Sequence, residues 1–142
     1  MAESTRAPWL KLAALLGALP ALGQTVAPAE ALARGIQSYE NRRYAEAVRQ
    51  IKAAQARLPR LADYTAYYLA AAHSDLKDFA AAKKDLEPLH SFAPASPMQA
   101  KGVLLESRVL VELQEPREAI RLLRERYAEL PQPLGDLALA TA

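Results

Sequence analysis

Few side chains in this sequence are equipped for chemistry. Histidine occurs at His73 and His90, and cysteine does not occur at all, which excludes thiol catalysis, thiolate metal sites and disulfides. Neither histidine has a carboxylate or a second histidine at metal-ligand spacing, so no metal site is expected. The sequence contains no G-x-S-x-G elbow, no glycine-rich phosphate loop and no H-E-x-x-H helix. The reading is therefore of a chain with no catalytic residues and no cofactor. What it offers instead is tyrosine. Three of its six tyrosines, Tyr64, Tyr67 and Tyr68, fall in the stretch LADYTAYYLAAA, Leu61 to Ala72. A tyrosine joins an apolar ring to a polar tip, so the stretch suits either a packing surface or a contact strip for a peptide or a sugar chain.

The elements that would position these tyrosines are helices. Apolar residues recur at spacings of three and four, as in Val48, Ile51, Ala54 and Leu58, or Ile120, Leu123 and Tyr127. The pattern predicts seven helical segments: Ala29 to Glu40, Tyr44 to Leu58, Leu61 to Leu76, Phe79 to His90, Pro97 to Leu113, Pro116 to Leu130, and a last one starting near Gly135. The links NRR, KD and QE are two or three residues long, which forces the helices they join into antiparallel pairs. Polar and apolar residues nowhere alternate over a useful length, and no Asn-Gly or Asp-Gly turn occurs. An all-α architecture follows.

At 142 residues, of which 51% are hydrophobic, the chain is sized for one domain with a real core. Its formal charge of +2 comes from cations scattered among acids, so no nucleic-acid partner is expected, because counterion release needs clustered cations. The beginning differs from the rest. Arg6 and Lys11 flank the apolar run Leu12 to Gly23, which ends in small residues and is interrupted by Gly17 and Pro20. That is the layout of a signal peptide, and the run is shorter than the roughly 20 residues of a bilayer span. The expectation is a leader over residues 1–23 cleaved near Gly23, a linker over 24–28, and a helical region over 29–142. The mature chain is then exported to the periplasm with no stable membrane span.

Internal similarity narrows the architecture. Tyr44 to Pro59, Phe79 to Pro94 and Pro116 to Pro131 superpose an alanine (Ala47, Ala82, Ala119), a large apolar residue (Ile51, Leu86, Leu123) and a closing proline, with periods of 35 and 37 residues. This spacing resembles the tetratricopeptide repeat. Gly35, Ala47, Ala54 and Pro59 fit the first unit, and Leu69, Ala70, Ala82 and Pro94 the second. The third is degenerate at Glu106, Ser107 and Arg126. The resemblance implies a tetratricopeptide-like helical-hairpin solenoid, an α-superhelix of about three repeats. It also implies a concave binding surface on the first helix of each pair. The register assigns Leu32, Ile36, Tyr39 and Glu40 to that surface in unit one, Tyr64, Tyr67, Ala71 and Asp75 in unit two, and Lys101, Leu104, Arg108 and Glu112 in unit three. Tyr68 is assigned to a neighbouring helix. The closing segment PQPLGDLALATA starts a last helix without a partner. It reads as a truncation of a longer solenoid and leaves self-association through Leu134, Leu137 and Leu139 open.

The stretches LADYTAYYLAAA, FAPASPMQAKGVLLESRVL and LLRERYAELPQPLGDLALA together resemble the N-terminal superhelical region of soluble lytic murein transglycosylases. In that family such a region precedes a lysozyme-like domain that cleaves peptidoglycan glycan strands with one glutamate. The family's Glu-Ser pair precedes its Met-Gln element. Here Glu106-Ser107 follows Met98-Gln99 by eight residues, so no catalytic residue carries over and Glu106 reads as a helix residue. The resemblance implies a non-catalytic scaffold that positions a lytic transglycosylase on peptidoglycan. The alternative is a free-standing adaptor that binds an envelope protein or peptide.

Overall fold

The computed structural model describes residues 27–92, 96–130 and 134–141, the last stretch with side chains from 138 onward. Among the described residues seven α-helices follow one another: α1 (Pro28–Glu40), α2 (Tyr44–Gln55), α3 (Ala62–Asp75), α4 (Phe79–Leu86), α5 (Gln99–Glu112), α6 (Pro116–Glu125) and α7 (Leu134–Thr141). No strand occurs among the described residues, and none of their helices is long and apolar enough to cross a membrane. The expected leader and its Gly23 junction lie outside the described residues, as do the side chains of Leu134 and Leu137.

The helices pack as three hairpins, α1 with α2, α3 with α4 and α5 with α6, each against the next, and α7 lies against α6. The first helices also touch in order, α1 with α3 and α3 with α5. One turn builds all three hairpins. Arg42, Lys77 and Gln114 adopt left-handed backbone, with φ of 59°, 65° and 62°. Two hydrogen bonds lock the chain at each: Arg42 N to Tyr39 O and Arg43 N to Ser38 O in the first, Lys77 N to Ser74 O and Asp78 N to His73 O in the second, Gln114 N to Val111 O and Glu115 N to Leu110 O in the third. This is a helix stop that satisfies the orphan carbonyls of the last turn. Its closing residue is also the cap of the next helix, and Asp78 accepts a hydrogen bond there from Ala81 N at 3.1 Å.

The second helices stop earlier than apolar spacing predicts. α2 ends at Gln55 because Pro59 pushes Leu58 out of helical backbone, to φ −127° and ψ 59°. α4 ends at Leu86 because Pro88 lacks an N–H and crowds the preceding turn, so Glu87–Ser91 tightens into a 3-10 helix. α6 gives way at Arg126 to a 3-10 turn over Tyr127–Glu129. α5 starts at Gln99 rather than Pro97, and the Ser96 hydroxyl accepts from Met98 N at 2.9 Å just before it.

The core is three apolar pads in series. Leu32, Ala47, Ile51, Ala54, Leu69 and Ala72 form the first, between the first hairpin and α3. Ala66, Ala70, Ala82, Leu86, Leu89 and Val109 belong to the second, between the second hairpin and α5. Val103, Leu123 and Leu130 form the third. Ala47, Ala82 and Ala119 are fully buried, which lets the paired helices approach closely. Gly35 goes further: a Cβ there would lie 2.4 Å from Cγ1 of Ile51.

Behind the first two turns the paired helices meet at one equivalent position. In the first hairpin the Ser38 hydroxyl donates to Gln50 Oε1 at 3.1 Å. In the second, His73 Nδ1 lies 2.6 Å from Asp85 Oδ2, with His73 buried. In the third, the same register holds Leu110 and Leu122. The hairpins are tied to each other as well. Lys83 Nζ meets Glu115 Oε2 at 2.6 Å, and the Ser96 hydroxyl donates to Asp63 at 2.5 Å.

Candidate functional site

The side chains that gather into a groove come from the last turn of α1, the second half of α3 and the exposed face of α5. Lys101, Leu104, Arg108 and Glu112 follow at helical spacing along α5, so they share one face. Tyr39, Tyr67, Ala71 and Asp75 close one end with Lys101 and Arg108, around a cavity of about 200 Å³. A second cavity of about 490 Å³ continues past Ser74, Asp75, Leu104 and Arg108, which line both. Lys77, Phe79, Ser107, Val111 and Glu112 extend it, and Ala138 and Thr141 of α7 wall its far side. Its size falls within the range of about 300–1,000 Å³ typical of small-ligand sites.

Of the residues assigned to the concave surface, Tyr39, Tyr67, Asp75, Lys101 and Arg108 do come together here, with Ala71, Leu104 and Glu112. Leu32 does not. It is 4% exposed and sits in the first apolar pad. The groove touches α1 only at its last turn, and Leu32 lies two turns earlier, about 10 Å back along the axis. Ile36 is half-buried against the same pad and Tyr64 against the second, and neither lines either cavity. Ser74, Lys77 and Phe79 were missed because they lie outside the assigned register. The contribution of α7 depends on how the last helix folds back, which no local pattern records.

The tyrosines form a chain of rings rather than a flat platform. Tyr39 and Tyr44 are 5.6 Å apart at 52°, Tyr39 and Tyr68 are 5.8 Å apart at 72°, and Tyr67 and Tyr68 are 5.3 Å apart at 79°. These are the tilted and edge-to-face arrangements that the ring quadrupole favours. Tyr68 therefore packs against the neighbouring helix, as its register suggested. Tyr39 and Tyr67 do both jobs, lining the groove and lying against the second pad.

Their hydroxyls are held in the neutral form. Burial raises the Tyr39 pKa above the ordinary tyrosine value, and the charge and hydrogen bond of Asp75 raise it further. Burial also raises Tyr67, followed by Tyr68, while Arg108 pulls the other way and Asp75 adds to the rise. Tyr68 is raised by burial and then by Glu40. A folded pKa above the unfolded value of about 10 means that the folded chain keeps its protons longer. This contribution to stability is complete below about pH 10 and is lost as pH rises from there through the folded pKa. Thermal unfolding at stepped alkaline pH should show the decline, and Tyr39→Phe, which keeps the ring without a titrating group, should make it shallower. An unchanged slope in that variant would remove Tyr39 from the account.

The two histidines lie elsewhere, and each meets one carboxylate that the sequence spacing had not suggested. His73 pairs with Asp85 inside the second hairpin. His90 Nε2 lies 2.6 Å from Oε2 of the buried Glu106. No group of three or more histidine, aspartate and glutamate side chains able to hold a metal forms among the described residues. Around His90 and Glu106 several charges are paired, with Lys83 on Glu115 and Arg121 on Glu118. The groove differs. Among the described residues, Lys77, Lys101, Arg108, Asp75 and Glu112 form no ion pair with protein. Compared with known proteins, the chain matches no family model, no curated protein and no solved structure.

Proposed function

We propose that this chain is a tetratricopeptide-like solenoid without catalytic residues, serving as the scaffold of an exported, periplasmic lytic transglycosylase and holding that enzyme on peptidoglycan. The observation that carries the binding role is the groove across α1, α3 and α5, whose charged side chains have no ion-pair partner among the described residues. The solenoid reading is supported by the same left-handed turn recurring at Arg42, Lys77 and Gln114, in step with the sequence repeat. The transglycosylase parent rests on the resemblance of the three sequence stretches. On this reading catalysis belongs to a separate lysozyme-like domain, and Glu106, tied to His90, takes no part in it.

The test is cosedimentation of the chain with purified peptidoglycan sacculi at low salt. Lys101 is exposed and forms no ion pair among the described residues, so Lys101→Glu should leave the melting midpoint unchanged. It should weaken binding about tenfold, the scale of one charge-assisted contact of about 1.5 kcal/mol. Absence of cosedimentation, or indifference to Lys101→Glu, would count against the reading. A second reading, a free-standing adaptor for an envelope protein, is favoured by the tyrosine geometry. The rings lean on one another, which leaves little flat face for stacking on a sugar. Binding to a protein or peptide without cosedimentation would select it.

A further inference from the structure

We infer that the groove recognises a zwitterionic peptide segment, one presenting a carboxylate to Arg108 and an ammonium to Asp75, and that this, rather than a neutral sugar chain, is what the scaffold grips. The inference rests on the groove being the binding site proposed above, and it names the chemistry that site selects.

The charges decide the class. Arg108 and Asp75 both line the two joined cavities. Lys101 stands on the Arg108 side at one end, and Lys77 and Glu112 border the other. A polyanion would be attracted by the three cations but repelled by Asp75 and Glu112, and a polycation would meet the reverse. A neutral glycan would strip water from five charges and return no ionic partner, which is costly. A peptide bearing both signs pairs with each. Arg108 can hold a carboxylate through two parallel N–H bonds, while Asp75, which lines the smaller cavity beside Tyr39, can take an ammonium. Between the charges the walls at Leu104, Val111 and Phe79 are apolar, suited to short side chains and backbone. Arg108 and Asp75 line the smaller cavity together with Tyr67, so both charges border one space in the groove.

The experiment is titration calorimetry of the full chain with three synthetic tetrapeptides and one sugar. The peptides, each acetylated at its N-terminus and amidated at its C-terminus so that only side chains carry charge, are Ala-Glu-Lys-Ala, a version with glutamine for the glutamate, and a version with methionine for the lysine; the sugar is chitotetraose. Wild type should bind the first peptide about tenfold more tightly than either neutralised version, one charge-assisted contact each. In Arg108→Ala the preference for glutamate over glutamine should vanish while the preference for lysine remains. Asp75→Asn should show the converse, and Arg108→Lys should restore part of the first preference. Both positions are exposed, and circular dichroism with a melting curve confirms that the variants fold. Chitotetraose binding without peptide binding overturns the inference and leaves the scaffold reading standing. Equal binding of all three peptides also overturns it. If neither peptide nor sugar binds and sacculi fail to cosediment, the groove loses both roles.

Discussion

Gly35→Ala should destabilise the protein by about 1–2 kcal/mol, although an alanine in mid-helix normally gains up to about 1 kcal/mol over glycine. The added Cβ would lie 2.4 Å from Cγ1 of Ile51 and 3.3 Å from its backbone nitrogen. Ile51 is fully buried and branched at Cβ, so it cannot swing aside, and overpacking of about 1–3 kcal/mol exceeds the helical gain. Ile51→Ala alone should cost about 2–5 kcal/mol as a buried truncation. In that background the steric conflict is gone, and Gly35→Ala should become neutral or stabilising. Denaturant midpoints of the two single variants and the double variant measure this coupling. Additive costs would mean that the close approach of α1 and α2 is not set by Gly35. Gly102 provides a contrast: its Cβ would meet the tip of Leu89 at 2.6 Å, a flexible end that can rotate, so Gly102→Ala should cost less.

The second large effect is expected at the rung behind the second turn. His73→Leu or Asp85→Leu alone leaves a buried or half-buried polar group facing an apolar side chain, at a cost of about 1–3 kcal/mol. The double variant places leucine on both sides, as the third hairpin already does with Leu110 and Leu122. It should recover most of that loss, because an apolar pair leaves no group unsatisfied. Equilibrium unfolding of the four proteins checks the cycle. A double variant no more stable than the worse single variant would show that the hairpin interior is specified by more than this rung. The fact that a serine–glutamine bond, a histidine–aspartate pair and two leucines fill one register suggests a position where satisfaction matters more than residue type.

The first helices of the hairpins were legible in the sequence to within a residue or two, because their apolar spacing and short links act locally. The ends of the second helices were less so. Apolar spacing continued to Leu58 and His90, but Pro59 and Pro88 changed the backbone first. The repeat register found most of the groove and overreached at one end. It treated Leu32, Tyr67 and Leu104 as equivalent, whereas the groove crosses the helices obliquely and leaves Leu32 in the core. The carboxylate partners of His73 and His90 lie 12 and 16 residues away in sequence, and they face the histidines only because the helices fold antiparallel.

By itself, the sequence determined the helices, the pairing forced by two- and three-residue links, and the small residues where helices cross, since each follows from interactions within about one turn or from links too short for another path. The tertiary structure alone decided which faces of those helices point at each other. It merged α3, α5 and α7 around one cavity, engaged the tyrosine rings with one another, and left Arg108 and Asp75 in one groove without ionic partners among the described residues. Those outcomes depend on crossing angles and on which side chain fills each gap, quantities set by packing over the whole stack rather than by any local run of residues.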